Sequence, residues 1–355
     1  MRAMKSSKIV LMIVLLIFAV AVMPVLNTGC SSTGDFTIIK SSTSQEPANT
    51  DQITTASGHE ENQEEYVGIY ALGSVDYFID HKIGLFRAGE ELGVKAVYTG
   101  PADDNIDEMI QCFEDAIERK VKGIVVFGMD DRLAPSINKA WENGIPTVTV
   151  DGDVKNSRRI AFVGTGNYSA GLLGGEKLIE MLSGQGQVAI LTEPNVELHR
   201  DRTRGYVDSL KAAPGIEVVE IADTKASHDD AYAAAISLLN RFPDLKALAC
   251  TDYFGGIAAS IAVEELGRKG RVKILSMDRS NFVLKKIDEG VITATLVQQT
   301  ALMSYYAMLV LYHFNHNPVP IAANAQEYGV TGAPAYIDTG VFVIDQTNFK
   351  PFIRN

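Results

Sequence analysis

From Tyr66 onward the chain alternates short apolar runs with longer amphipathic ones, and this alternation limits the possible folds more than any other feature. Tyr66–Leu72, Ala96–Tyr98, Gly123–Phe127 and Thr147–Val150 read as buried strands bounded by Gly, Asp and Pro. Between them, Phe78–Leu92, Ile106–Arg119 and Leu133–Asn143 carry apolar residues at helical spacing, with Gly93 and Gly144 as C-terminal stop signals. The pattern resumes with strands near Arg159–Val163, Gln187–Leu191, Val218–Ile221, Ala247–Cys250 and Lys273–Ser276. Helices near Gly171–Leu182, Arg202–Lys211, Asp229–Asn240, Gly256–Leu266 and Phe282–Glu289 separate them. Apolar strands joined through helices require parallel sheets covered on both faces and built by right-handed crossovers. About ten strands exceed one comfortable sheet. The expected fold class is therefore α/β, with two doubly wound, Rossmann-like domains.

Strand after strand ends in a polar or turn residue: Ser74 and Asp76, then Asp130, Asp151, Asp252 and Asp278. In open parallel sheets the carboxyl ends of the strands form the ligand crevice. One aspartate at a strand end is ordinarily a helix N-cap. The same residue type at comparable positions in both halves points instead to one polar cleft between two sheets.

The beginning of the chain differs in kind. Arg2, Lys5 and Lys8 precede an apolar run, Ile9–Met23, and no acidic residue occurs before Cys30. This is the layout of a secretory signal peptide over 1–29, the alternative being an uncleaved membrane anchor, since Ile9–Leu26 approaches the roughly 20 residues that span a bilayer. The end of the segment, Thr28-Gly29-Cys30, resembles a bacterial lipobox, although Asn27 stands where an aliphatic residue is usual. The resemblance implies lipidation at Cys30, an anchor on the extracytoplasmic side of the membrane, and export of everything after it. Residues 30–65 are rich in Ser, Thr, Gln, Asn and Glu. They are expected to form a flexible tether, about 30 Å in reach at this length.

Past the tether, the ordered series of motifs resembles the type I periplasmic sugar-binding proteins, the ribose-binding-protein-like receptors of ABC importers. Tyr77-Phe78 opens a helix ending Ala88-Gly89-Glu90-Glu91-Leu92-Gly93, and Gly144-Ile145-Pro146 leads into Thr149-Val150-Asp151. Arg200-Asp201-Arg202-Thr203-Arg204-Gly205-Tyr206 and Phe242-Pro243-Asp244-Leu245 follow, then Leu275-Ser276-Met277-Asp278 and Ala294-Thr295-Leu296-Val297-Gln298. The resemblance covers about 65–349. It implies two lobes joined by a three-strand hinge with the ligand cleft between them. The expected lobes are 66–166 plus 300–325, and 167–299 plus 326–352. Crossings are expected near Thr165–Tyr168, Gln299–Met303 and Asn324–Gly329.

A sugar presents hydroxyls around its rim and apolar C–H faces above and below, which carboxylates and amides, and aromatic rings, respectively match. Position by position, the resemblance implies ligand contacts from the aromatic pair Tyr77 and Phe78, from Asp151 ending the fourth strand, and from Arg202 at a helix head. Asp252, Asp278 and Gln298 complete the expected set. Ribose itself is not expected. Ser74-Val75-Asp76 replaces asparagines of the ribose receptors, Phe127 stands where an asparagine often ends the third strand, Gly152 replaces a common arginine, and Thr251-Asp252 replaces an Asn-Asp pair.

The excluded classes narrow the function. With 32 Lys+Arg against 44 Asp+Glu, the chain lacks the basic surface that nucleic acid requires. No dinucleotide or phosphate loop is present, the histidines have no metal-ligand spacing, and Cys112 and Cys250 have no nucleophile context. An enzyme, a cofactor and a metal are not expected. The expected function is capture of a small sugar and its delivery, by hinge closure, from a monomeric lipid-anchored receptor to an ABC permease. The alternative is a ligand-sensing input protein for a membrane sensor kinase.

Overall fold

The computed structural model describes residues 63–71, 77–103, 105–319 and 330–354. The signal segment, Cys30, most of the tether, Ser74, Asp76 and the expected crossing at 324–329 lie outside the described residues.

In the first lobe β1 (Glu65–Ile69), β2 (Lys95–Thr99), β3 (Gly123–Phe127), β4 (Thr147–Val150) and β5 (Ala161–Gly164) alternate with α1 (Tyr77–Leu92), α2 (Ile106–Glu118) and α3 (Ala134–Glu142). β1 takes in Glu65, the last residue of the expected tether, because that residue pairs with Lys95. The second lobe repeats the plan. It contains α4 (Asn167–Leu182), β6 (Gln185–Thr192), α5 (Glu197–Leu210), β7 (Gly215–Asp223), α6 (His228–Arg241), β8 (Leu245–Cys250), α7 (Tyr253–Glu265), β9 (Lys273–Met277), α8 (Asn281–Asp288) and β10 (Ala294–Gln298).

The chain then returns. α9 (Thr300–His316) packs on α1 and on β3, β4 and β5 of the first lobe. β11 (Tyr336–Asp338) joins β5 in parallel, and β12 (Val341–Asp345) joins β10 antiparallel. The sheets run β11-β5-β4-β3-β1-β2 and β12-β10-β9-β8-β6-β7, so the second repeats the first strand for strand. β11 in the first sheet moves the third crossing to Thr339–Gly340. Residues 336–338 thus belong with the first lobe and not with the second, as the sequence had suggested. A three-residue edge strand has no apolar alternation to announce it. The antiparallel pairing of β12 with β10 follows directly, because the chain passes from β11 to β12 without an intervening helix to reverse it.

The three crossings lie side by side. Thr339 N and Oγ1 donate to Gly164 O at 2.9 and 3.2 Å, Gly166 N donates to Asp338 Oδ1 at 2.7 Å, and Gln299 Nε2 donates to Thr339 O. The apolar cores lie on both faces of each sheet. Tyr66, Leu85, Val148, Met303 and Leu311 fill one side of the first sheet, and Met109, Phe113, Ile124 and Ile137 the other. Trp141 packs against Phe314, in the packing role its place on a core helix suggests.

One close approach fixes the second lobe's part of the cleft. A Cβ at Gly205 of α5 would stand 2.3 Å from Tyr168 O, and one at Gly171 of α4 would stand 2.1 Å from Arg202 O. The two helix backbones touch at these glycines, and their contact sets the depth of Arg202. Gly205→Ala is expected to push α4 from α5 and cost about 1–3 kcal/mol. In thermal unfolding that would read as a fall in Tm of several degrees.

Candidate functional site

Between the lobes, at the carboxyl ends of both sets of strands, lies a cavity of about 1350 Å³. Tyr77, Phe78, Asp151, Arg202, Asp252, Asp278 and Gln298 all line it. The folding of both lobes therefore brings together every described residue singled out in the sequence as a site candidate.

The two aspartates are structural counterparts. Asp151 follows β4 and Asp278 follows β9, the same position in the two sheets, and both are left-handed, at φ 65° and 62°. Asp151 N donates to Val163 O at 3.0 Å and Asp278 N to Leu296 O at 2.7 Å, each onto the next strand. Aspartate is among the few L-residues that adopt this conformation at modest cost. The turn aims both side chains into the cleft from opposite lobes.

Gln298 links them. Its Nε2 donates to Tyr77 Oη and to Asp278 Oδ1, both at 3.0 Å. Its Oε1 accepts from Thr165 Oγ1 and Arg202 Nη2, both at 2.9 Å. These four bonds exhaust a primary amide. Gln298 here holds other site residues in place and has no group left over. Tyr77 Oη in turn donates to Asp151 Oδ2 at 2.9 Å, completing a chain from one aspartate to the other.

Arg202 is 3% exposed. Its Nε donates to Asn167 Oδ1 at 2.8 Å and its Nη1 to Thr251 O at 2.7 Å, besides the Nη2 bond to Gln298. Three of the five guanidinium N–H groups are thus engaged with neutral acceptors, leaving two for the cavity. Arg202 lies inside α5 and not at its head, since the helix starts at Glu197. Asp252 is the N-cap of α7: Oδ1 accepts from Gly255 N at 2.5 Å and Oδ2 from Thr224 Oγ1 at 2.7 Å. It lines the cavity and caps the helix at once. Phe78 presents a ring to the cavity from an edge-on cluster, 5.1 Å from Phe127 and 5.3 Å from Tyr77 between centroids.

Glu193 and His199 also line the cavity, although the sequence marks neither as a ligand contact and His199 has no metal-ligand spacing. Glu193 follows the last residue of β6 and so obeys the same strand-end rule, but the Glu193-Pro194 step reads as plain loop. Asp130, beyond the end of β3 as the other cleft aspartates lie beyond their strands, and the aromatic pair Tyr253 and Phe254 also line the cavity.

Burial sets the electrostatics. It raises the Asp151 carboxyl to about 6, against the pull of Tyr77 and Arg202, and pushes Asp278 up as well. Glu193 rises to about 7, through burial first and then Asp252 and Asp223. Burial drives His199 down to about 3, and its neutral ring donates from Nδ1 to Thr251 O at 3.0 Å. The bare Nε2 then faces Glu193 Oε1 at 3.7 Å, which favours a protonated carboxyl there. A carboxyl whose pKa is raised by folding contributes stability at low pH and loses it as pH climbs through the folded value. For Glu193 the window runs from the ordinary 4.5 to about 7. The stability of the protein relative to its Glu193→Gln variant is therefore expected to fall across that window, as thermal unfolding at a series of pH values would register.

Two α/β lobes, three adjacent crossings and a polar cleft at the strand ends define a two-lobed ligand-binding protein of the periplasmic type I architecture. The chain belongs to the periplasmic binding protein domain family, whose model matches residues 66–315. It is 27% identical over 248 residues to the D-allose-binding periplasmic protein of Escherichia coli K12, covering 67% of this chain and 80% of that one. AraP, an arabinose-binding protein from Geobacillus stearothermophilus, superposes with a TM-score of 0.78 at 33% identity, over 82% of this chain and all of the other. XylFII, solved in a complex with LytSN, superposes at 0.64 with 30% identity, over 81% and 99%. The first two of these relatives are named as binding proteins, and the family is one of binding proteins, not of enzymes. Among the described residues no helix is long and apolar enough to cross a membrane.

Proposed function

We propose that this protein captures a small sugar in the cleft and presents it, by closing the lobes, to the permease of an ABC importer. One observation carries the reading: Tyr77 and Asp151 from one lobe converge with Arg202, Asp278 and Gln298 from the other. Carboxylates would accept hydroxyl protons, Arg202 would donate to sugar oxygens with its two remaining N–H groups, and Phe78 would cover an apolar face. The names of the relatives, receptors for allose and arabinose among them, support a pentose or hexose. Contacts to both lobes are what would make ligand binding favour the closed state.

The signal-like segment and Cys30 support export and lipid anchoring outside the cytoplasm, in keeping with a family of periplasmic proteins. Calorimetry against pentoses, hexoses, deoxy sugars and inositols tests the ligand class. Tight binding of one of them is expected, and the absence of heat with all of them would overturn the sugar assignment. Because an ionised Asp151 is the better acceptor for hydroxyls, affinity is expected to rise as pH increases through about 6. A second reading, in which the closed form is shown to a membrane-bound sensor, is favoured by the likeness to XylFII in its complex with LytSN. Co-purification with a permease or with a sensor separates the two.

A further inference from the structure

Both lobes meet at a cluster of charges outside the ligand-facing set. Asp80 lies in the first turn of α1, beside Tyr77 and Phe78. Its Oδ2 accepts from Arg279 Nη2 at 2.6 Å and its Oδ1 from Arg354 Nη2 at 2.5 Å. Both arginines belong to the second lobe. Arg279 is the neighbour of Asp278, and its Nη1 donates to Phe352 O at 2.8 Å. Arg354 is tied down by an exchange with Asn281: Arg354 N donates to Asn281 Oδ1 at 3.1 Å and Asn281 Nδ2 to Arg354 O at 2.8 Å. Phe349 and Phe352 root this segment in the second lobe's core.

We propose that Asp80 is a positioning residue of the cleft, a clasp by which segment 349–354 and the loop after Asp278 hold the second lobe against α1 before any ligand arrives. The clasp is one carboxylate gripped by two guanidinium groups, each side chain being between 16% and 24% exposed. Such a charge-assisted, largely desolvated contact is among the stronger polar interactions. Among the described residues another interlobe ion pair, Lys155 with Glu197, differs. Its side chains are 60% and 62% exposed, so solvent screens it and it holds little.

The clasp sits where closure would be felt. Asp80 shares a helical turn with Tyr77, and Arg279 directly follows Asp278, so opening the lobes would separate both at once. A receptor whose competent, closed state is only partly populated binds its ligand more weakly in proportion to that fraction. Asp80 would raise the fraction without touching the ligand. The inference rests on the reading of the cleft as one that opens and closes, and on no particular sugar.

Its test therefore uses the empty protein. Small-angle X-ray scattering should give a larger radius of gyration for Asp80→Asn than for the parent chain. Hydrogen exchange should be faster in segment 349–354, while circular dichroism stays unchanged. Asp80→Glu should restore the parent profile, and Arg354→Ala, which removes one arm, should fall between. Should Asp80→Asn fail to fold, Arg354→Ala decides alone by the same two readings. Scattering and exchange identical to the parent in a folded Asp80→Asn or Arg354→Ala chain would overturn the proposal. That outcome leaves the sugar assignment standing, just as a silent sugar panel would leave the clasp standing.

Discussion

Replacing Asp278 with alanine is expected to weaken sugar binding by roughly ten- to a hundred-fold, and Asp151→Ala to do the same. A hydrogen bond to a charged group contributes about 1.5–3 kcal/mol, which is that range of affinity. Two further losses act in the same direction. Gln298 Nε2 would lose the Oδ1 atom that now accepts from it at 3.0 Å and would turn on its remaining partner, Tyr77. Alanine would also have to hold φ near 62°, where a Cβ is unfavourable and no polar side chain compensates. Asp278→Asn separates these effects. It keeps the shape and the tolerance for the left-handed turn, and loses only the charge and one acceptor. Titration calorimetry with whichever sugar binds the parent chain, run on Asp151→Asn, Asp278→Asn and the two alanine variants, would check the order. Parent-like affinity in both alanine variants would remove the aspartates from the site.

Much of this was legible in the sequence because parallel sheets write their function at strand ends. Asp151 and Asp278 are visible through a rule about position, and the resemblance to the sugar-binding family adds their role as ligand contacts. The same rule covers Glu193, yet its strand reads as ending at Leu191, and the following proline disguised it as loop. The return passage was least legible. α9 carries Leu302, Met303, Tyr305, Tyr306, Met308, Leu309 and Leu311 on several sides, so its apolar residues mark no single stripe although one face is buried against the sheet. β11 has three residues and reads as nothing. The expected crossing near Asn324–Gly329 therefore falls short of the observed one at Thr339–Gly340, and residues 336–338 lie in the first sheet. The sequence sets Arg202 at a helix head because Glu197–Asp201 is too polar to show a period, whereas α5 includes that stretch. The Asp80 clasp could not have been read at all, since nothing in sequence links position 80 to 279 and 354.

Arg202→Ala should have the widest consequences of any single change in the cleft. The guanidinium is the cation that draws down the carboxyls of Asp151, Asp278, Asp252 and Glu193, opposing the desolvation that raises all four. Without it those groups would titrate higher still, and the carboxyls would lose the buried cation that faces all four. Asn167 Oδ1, Thr251 O and Gln298 Oε1 would each lose a donor at once. Taking the positive partner out of a buried charge cluster costs about 3–5 kcal/mol. The variant is therefore expected to bind no sugar at concentrations that saturate the parent and to unfold at a markedly lower temperature. Its deficit should widen between pH 5 and 8, because the unpaired carboxyls destabilise the fold only once they ionise. Arg202→Lys discriminates between charge and shape. It supplies the positive charge but no planar fork to span three acceptors, so it should recover part of the stability and little of the binding. A Tm deficit independent of pH in Arg202→Ala would mean that the residue acts through its hydrogen bonds alone, and that the acidic cleft is balanced elsewhere.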